Sequence, residues 1–332
     1  MTPTARSELA RPYRAPLWLR NGLLQTLLAS LRLRAAGANP MLAASREVIL
    51  VTSSGARLLG AHSPQAFSPG RGLAILLPGW EGSIDSTYMR CTGRILFRRG
   101  YDVFRLNYRD HGRSHHLNRG IFYAVLLEEV FEAVAQAAAL AAGRPVLLAG
   151  FSLGGNFALR IGRRCSAQPI AGLCRIVAVS PALNPAEATA RIDRQPLIRG
   201  YFLKKWRRSL ALKQSLFPEL YDFTPALGIQ TVMGLTEYLL AHYSRYASAA
   251  AYFADYTLTG DALASMRVPA DLVTATDDPI ISADDFKALR CGPATEVMIH
   301  RHGGHNGFLN GWRLQSRYET DIADLFDRIS GG

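Results

Sequence analysis

Six short apolar runs, most of them separated by helical segments, constrain the fold of this chain more than any other feature. They are "GLAILLPGW" (72–80), "YDVFRLNYRD" (101–110), "PVLLAGFS" (145–152), "CRIVAVSPA" (174–182), "ADLVTATDD" (270–278) and "TEVMIHRHGGH" (295–305). Strands apolar at consecutive positions belong to a sheet covered on both faces. Helices in the gaps imply parallel pairing through crossovers. Helical spacing is expected over 87–100, 121–143, 153–164, 282–290 and 314–329. Two earlier runs, "REVILVT" and "ARLLGAH", read as further strands.

The rhythm breaks between 184 and 264. That stretch is helical, polar and aromatic, with no convincing strand. Inserted between two core strands, it predicts a helical cap over the C-terminal sheet edge, where open α/β sheets bind ligands. The expected division is a core of 46–183 and 265–332, a cap of 184–264, and an N-terminal helical or extended segment (1–45) packed on the core. A chain of 332 residues is long enough for such a domain with an insertion. The class is α/β, a mostly parallel central sheet flanked by helices with a helical cap insertion.

The formal net charge is +12. Such a balance can favour nucleic acid or anionic lipid. The densest basic groups are Arg6 to Arg34 and the set Lys204, Lys205, Arg207 and Arg208. Neither has the framework of a nucleic-acid module, so no nucleic-acid partner is expected. Peripheral membrane contact through the basic N-terminus or the cap remains open, since "LLQTLLASLRL" (23–33) is apolar on one face. The commoner arrangement is a helix packed on the core. No uncharged apolar stretch reaches the length of a transmembrane helix, and no signal-peptide core precedes Arg14 and Arg20. The four cysteines (Cys91, Cys165, Cys174, Cys291) are widely spaced and fit a reducing, cytoplasmic setting. No regular metal-ligand spacing exists, so no metal is expected.

The chemistry concentrates at four places. "GFSLG" (150–154) follows a buried strand and opens a helix, the context a nucleophile elbow requires. Gly150 and Gly154 leave room for the strained turn that lifts Ser152 clear of the sheet. The helix behind Ser152 aims its positive end at the site. A serine needs a base at neutral pH. Of His300, His302 and His305, only His305 follows two glycines in a loop, so its ring can reach across the sheet edge. His111, His115 and His116 read as a polar loop near the site. The acid should come from a strand end between the cap and the last strand, and "TATDDPII" (274–281) is the acidic strand end in that interval. Asp277 and Asp278 cannot both face His305 from an extended backbone, and Pro279 holds Asp278 extended. Acyl transfer also needs backbone donors for an oxyanion. Leu153, after the nucleophile, is one candidate. Trp80, in the glycine turn "LLPGWEGS" (76–83), is the other.

With these residues placed, the sequence resembles the α/β-hydrolase superfamily. More closely it resembles its YheT-like branch, hydrolase family 4, related to the eukaryotic α/β-hydrolase-domain proteins of types 1 and 3. "WLRNGLLQTLL" is similar to that branch's opening segment, "GWEGS" to its glycine-rich loop, and "GFSLGGN", "DDPI" and "HGGHNGF" to its triad segments. Pro78 stands where the branch usually has histidine, Leu23 or Leu24 replaces the opening segment's histidine, and "NYRDHGRS" is closer to the loop of general α/β hydrolases. The resemblance implies the α/β-hydrolase fold and carboxylic ester hydrolysis without metal or organic cofactor. It also favours Asp278, because the fold's acid is typically followed by one residue and two aliphatics, as in "DPII".

The expected mechanism is attack by Ser152 on the carbonyl of a small-molecule ester, with His305 as base and Asp278 orienting it. The cap aromatics Phe202, Trp206, Phe217, Tyr221, Tyr238, Tyr243 and Tyr246 are expected to supply an apolar pocket, although most must also glue the cap down. An acyltransferase with the same triad, or a non-catalytic binding protein on the same fold, are the alternatives. Product analysis with an added alcohol separates the first, and a fluorophosphonate probe the second.

Overall fold

A computed structural model describes residues 12–66 and 70–331. Residues 1–11 of the expected N-terminal segment, Arg6 among them, lie outside the described residues. Eight strands form one sheet: β1 (Arg46–Val51), β2 (Arg57–Ser63), β3 (Leu73–Leu77), β4 (Asp102–Leu106), β5 (Val146–Phe151), β6 (Leu173–Val179), β7 (Ala270–Ala275) and β8 (Thr295–His300). Their order is β1-β2-β4-β3-β5-β6-β7-β8. From β4 to β8 all neighbours are parallel, while β1 and β2 pair antiparallel at one edge.

The central strands are buried on both faces, and their side chains divide with a period of two. Leu73, Ile75 and Leu77 of β3 enter one core, and Ala74 and Leu76 enter the other. Val146 and Leu148 of β5 separate in the same way from Leu147, Ala149 and Phe151. This is why the strands read as continuous apolar runs.

Eleven α-helices surround the sheet among the described residues. In the N-terminal segment are α1 (Gly22–Ala29) and α2 (Pro40–Ala43); then come α3 (Thr87–Arg98), α4 (Leu127–Ala139) and α5 (Leu153–Arg164). Between β6 and β7 lie α6 (Pro185–Arg194), α7 (Pro196–Leu216), α8 (Val232–Tyr243) and α9 (Ala249–Ala254); α10 (Ala283–Lys287) and α11 (Arg317–Ser330) complete the chain. Met89 and Leu96 of α3 share one core with Ile322 and Phe326 of α11. Helices α4 and α5 join the other, which continues into the helices between β6 and β7.

Two expected helices begin late. The segment from Ile121 stays irregular until Leu127, because Phe122 N–H donates to Asp110 and Ala124 N–H to Tyr252, holding the backbone as a loop. Gln315–Ser316 forms a two-residue strand against Leu309–Asn310, so α11 starts at Arg317 and not at Leu314.

Candidate active site

Strand β5 ends in a turn where Ser152 takes φ 54° and ψ −116°, a conformation costly for a residue with a side chain. Two glycines permit it. A Cβ on Gly150 would lie 2.1 Å from the Gly154 carbonyl oxygen, and one on Gly154 would lie 2.3 Å from that of Leu77. Helix α5 follows at once, so the serine sits at its N-terminal end.

His305 arrives from the loop after β8. Its Nε2 is 2.9 Å from Ser152 Oγ, and its Nδ1 is 2.9 Å from Asp278 Oδ2. The carboxylate's other oxygen accepts the amides of Ile280 and Ile281 at 2.8 and 2.9 Å. Asp278 and His305 are buried. A buried carboxylate with both oxygens hydrogen-bonded holds one orientation, and through it one imidazole orientation. Asp277 points elsewhere. Its Oδ1 accepts the Gly304 amide at 2.9 Å, and its Oδ2 lies 3.5 Å from His302. Burial raises the Asp277 carboxyl, and the Gly304 hydrogen bond partly offsets this.

The loop after β3 passes directly over the serine, with a Cβ on Gly79 falling 3.3 Å from Ser152 Cβ. Its amides are mostly spoken for. Gly79 N–H donates to the Tyr88 hydroxyl, Glu81 N–H to His111 Nε2 and Gly82 N–H to the Gly79 carbonyl. Trp80 N–H has no partner among the described residues. The Leu153 amide, first in α5, has no acceptor within its helix. Neither of these two amides has a backbone or side-chain acceptor among the described residues.

Sequence reading missed what braces this loop. His111 takes the Glu81 amide at Nε2 while its Nδ1 faces the Arg109 carbonyl at 2.9 Å, which requires a neutral ring with the proton on Nδ1. Burial lowers His111 to about 3, so it stays neutral. Tyr88 is pushed up to about 12 by burial and keeps its proton. Lys205 from α7 reaches the Glu81 carbonyl. The "RDHGRSHH" loop is polar and close to the site, but His111 is an organising residue in it, and its spacing alone carries no such signal.

The N-terminal segment supports the histidine loop, a second role invisible locally. Thr26 Oγ accepts the His305 amide at 2.8 Å, and Gln25 Oε1 accepts the Leu309 amide at 2.8 Å. Gln25 also donates to the Leu19 carbonyl, and the Tyr13 hydroxyl donates to that of Leu309.

Next to Ser152 a pocket opens between the sheet edge and α6–α9. Trp80, Phe202, Trp206, Leu240, Tyr252 and Tyr256 are among its walls, and no charged side chain lines it. The hydroxyls of Thr189 and Thr236 are turned back to the carbonyls of Pro185 and Val232. Away from Ser152, therefore, the walls offer apolar surface. The expected aromatic set is corrected here. Phe202 and Trp206 line the pocket, but Phe217, Tyr221, Tyr238, Tyr243 and Tyr246 do not. Tyr221 and Tyr243 pack on Phe223 and Tyr246 on Tyr252, tying α8 and α9 to neighbouring segments, while Tyr238 stacks on His242 of its own helix. Among the described residues no group of histidine, cysteine and carboxylate side chains could hold a metal ion.

A mostly parallel sheet with an elbow serine at the C-terminal end of a central strand, and a histidine and a carboxylate from later strand ends, defines a hydrolase with the alpha/beta hydrolase fold. The chain belongs to the alpha/beta hydrolase family, whose model matches residues 74–314. No curated protein matches it. Among solved structures it is similar to an esterase from Pyrococcus furiosus, with TM-score 0.54, 16% identity, and 86% of this chain and 91% of that one covered. It is similar to a 2,6-dihydroxy-pseudo-oxynicotine hydrolase, with TM-score 0.56, 16% identity and coverage of 87% and 69%. A bacterial membrane phospholipase A shares the fold at TM-score 0.55 and 17% identity, with 93% of each chain covered.

Proposed function

We propose that this hydrolase cleaves carboxylic esters carrying an apolar acyl or alcohol group, through Ser152, His305 and Asp278. The observation that carries this reading is the unbroken line of two 2.9 Å contacts from Asp278 through His305 to Ser152, ending at an uncharged pocket. In the proposed first step Ser152 Oγ attacks the ester carbonyl as His305 Nε2 takes its proton. The Trp80 and Leu153 amides stabilise the oxyanion. Asp278 stabilises the imidazolium without taking its proton. The intermediate collapses, the C–O bond to the alcohol breaks, and His305 returns the proton to the departing oxygen. Water then attacks the acyl-enzyme by the same route, releasing the acid and restoring the serine.

An esterase and a phospholipase A among the similar folds lie in the same direction. The segments "NGLLQT", "GWEGS", "DDPI" and "HGGHNGF" support placement in the YheT-like branch. The test is labelling with a fluorophosphonate probe, followed by turnover of a p-nitrophenyl ester series of increasing acyl length. The wild type should label and Ser152→Ala should not. Equal labelling of both would falsify the proposal. Rising kcat/KM with chain length is the result expected from the apolar pocket.

A further inference from the structure

The N-terminal segment is apolar on the face it buries and also on the face it exposes. Leu19, Gly22, Gln25 and Ala29 lie against the core. Outward from α1, Leu24 and Leu27 are exposed, as are Leu17 before the helix and Leu31 and Leu33 after it, Leu33 at 80%. A surface helix ordinarily turns polar residues outward, and one that is apolar all round needs cover. Trp18 continues the stripe. Its ring stacks on that of Trp312 at 5.1 Å, and Trp312 is 88% exposed. A stacked tryptophan pair at the surface, with five exposed leucines on the same N-terminal segment as Trp18, is exposed apolar surface of the kind that marks an interaction site.

The charge around the patch states what covers it. Arg14, Arg20 and Arg32 of the same segment, and Arg313 next to Trp312, are exposed. No aspartate or glutamate occurs in residues 12–46 or 301–318. A protein partner would ordinarily be met by charges of both signs. Leucine and tryptophan exposed on segments whose formal charges are all arginine match an anionic bilayer, where tryptophan rings settle at the headgroup level and leucines enter the acyl boundary. Each arginine near such a surface adds electrostatic attraction to it.

We infer that this face docks on the surface of an anionic phospholipid membrane, with Trp18, Trp312 and the exposed leucines immersed and the four arginines on headgroups. No helix among the described residues is long and apolar enough to cross a membrane, so the contact is peripheral. The inference stands independently of the ester-hydrolase reading, because it rests on the outward face of α1 and the inward face alone supports His305.

The test is co-sedimentation of the full chain with large vesicles of phosphatidylcholine, alone or with about a third phosphatidylglycerol. Binding should require phosphatidylglycerol and weaken as salt rises from about 0.05 to 0.5 M. The double variant Leu17→Glu, Trp18→Ser should bind on the order of ten-fold more weakly. Arg32→Glu with Arg313→Glu should lose a comparable factor and flatten the salt dependence. All four side chains lie at the surface, and melting temperatures measured on each variant separate a loss of binding from a loss of fold. Failure of the wild type to bind anionic vesicles, or binding by Leu17→Glu, Trp18→Ser equal to wild type, overturns the inference. So does a concentration-dependent dimer that the same variant abolishes in the absence of vesicle binding, which would assign the face to a second copy.

Discussion

Thr26 Oγ receives the backbone amide of His305 at 2.8 Å, across 279 residues of sequence. The same hydroxyl donates to the Gly22 carbonyl at 2.7 Å, so its proton and its lone pair are both committed. Helix α1 thereby sets the height of the loop that presents the candidate base. Thr26→Val keeps the shape and removes both hydrogen bonds, leaving a buried amide unpaired. The expected outcome is a fall in kcat of about ten-fold with KM nearly constant, since a base displaced by a fraction of an ångström weakens the transition state more than ground-state binding. Thr26→Ser should restore most of it. Steady-state kinetics on a short p-nitrophenyl ester checks both.

The two adjacent aspartates should separate cleanly. Asp278 bonds the imidazole and two amides, whereas Asp277 bonds the Gly304 amide and lies near His302. Asp278→Asn should lower kcat on the order of 10⁴-fold by favouring the wrong imidazole tautomer. Asp277→Asn should stay within about ten-fold, since it touches the histidine loop and not the ring. The reverse ranking in steady-state turnover would reassign the acid.

How much of this could be read from the chain itself follows from the range of each interaction. Continuous apolar strands such as "AILL" and "VLLAG" reveal a two-sided sheet because burial on both faces is written locally. The elbow is equally local, since Gly150, Ser152 and Gly154 lie within one turn. Loop glycines single out His305, and the likeness of "DPII" to the fold's acid segment favours Asp278 over Asp277. The fold brings the His305 ring within 2.9 Å of both Ser152 Oγ and Asp278 Oδ2. Interactions made only in three dimensions were not legible. Gln25, Thr26, Tyr88 and His111 act on backbone groups far away in sequence or across loops, and nothing in their neighbours' spacing announces it. The pocket is a similar case. Tyr252 and Tyr256 face it while Tyr221 and Tyr243 do not, because the packing of the helices and of the loops between them decides which rings reach the sheet edge.

Pocket depth gives a prediction with a graded readout. Ala188 is a small residue on the wall beside Ile192 and Leu240. Ala188→Phe adds bulk there without charge. The variant should retain turnover of an acetyl ester within about three-fold while losing at least ten-fold in kcat/KM on a long-chain ester, since filling a close-packed site excludes the longer group. An unchanged chain-length profile would place the acyl chain elsewhere.

The last prediction concerns the link between α7 and the core. Lys213 is buried, and its ammonium donates to Asp110 Oδ1 at 2.9 Å and to the carbonyls of His115 and Asn118 at 3.2 and 2.6 Å. Burial raises the Asp110 carboxyl from 3.8 to about 6, with Lys213 opposing the rise. A carboxyl whose folded value exceeds its unfolded one costs stability as pH climbs from the unfolded value to the folded one. In the wild type that window is 3.8 to about 6. Lys213→Met removes the opposing charge, so the folded value rises further and the loss continues above pH 6. Below about pH 6 Asp110 is protonated in both folded proteins, and the variant should lose only the two carbonyl contacts. At pH 8 the deficit should grow toward the roughly 3–5 kcal/mol typical of a broken buried ion pair. Denaturant midpoints for both proteins across this pH range check the sign. A deficit larger at pH 5 than at pH 8 would show that Asp110 does not carry the effect.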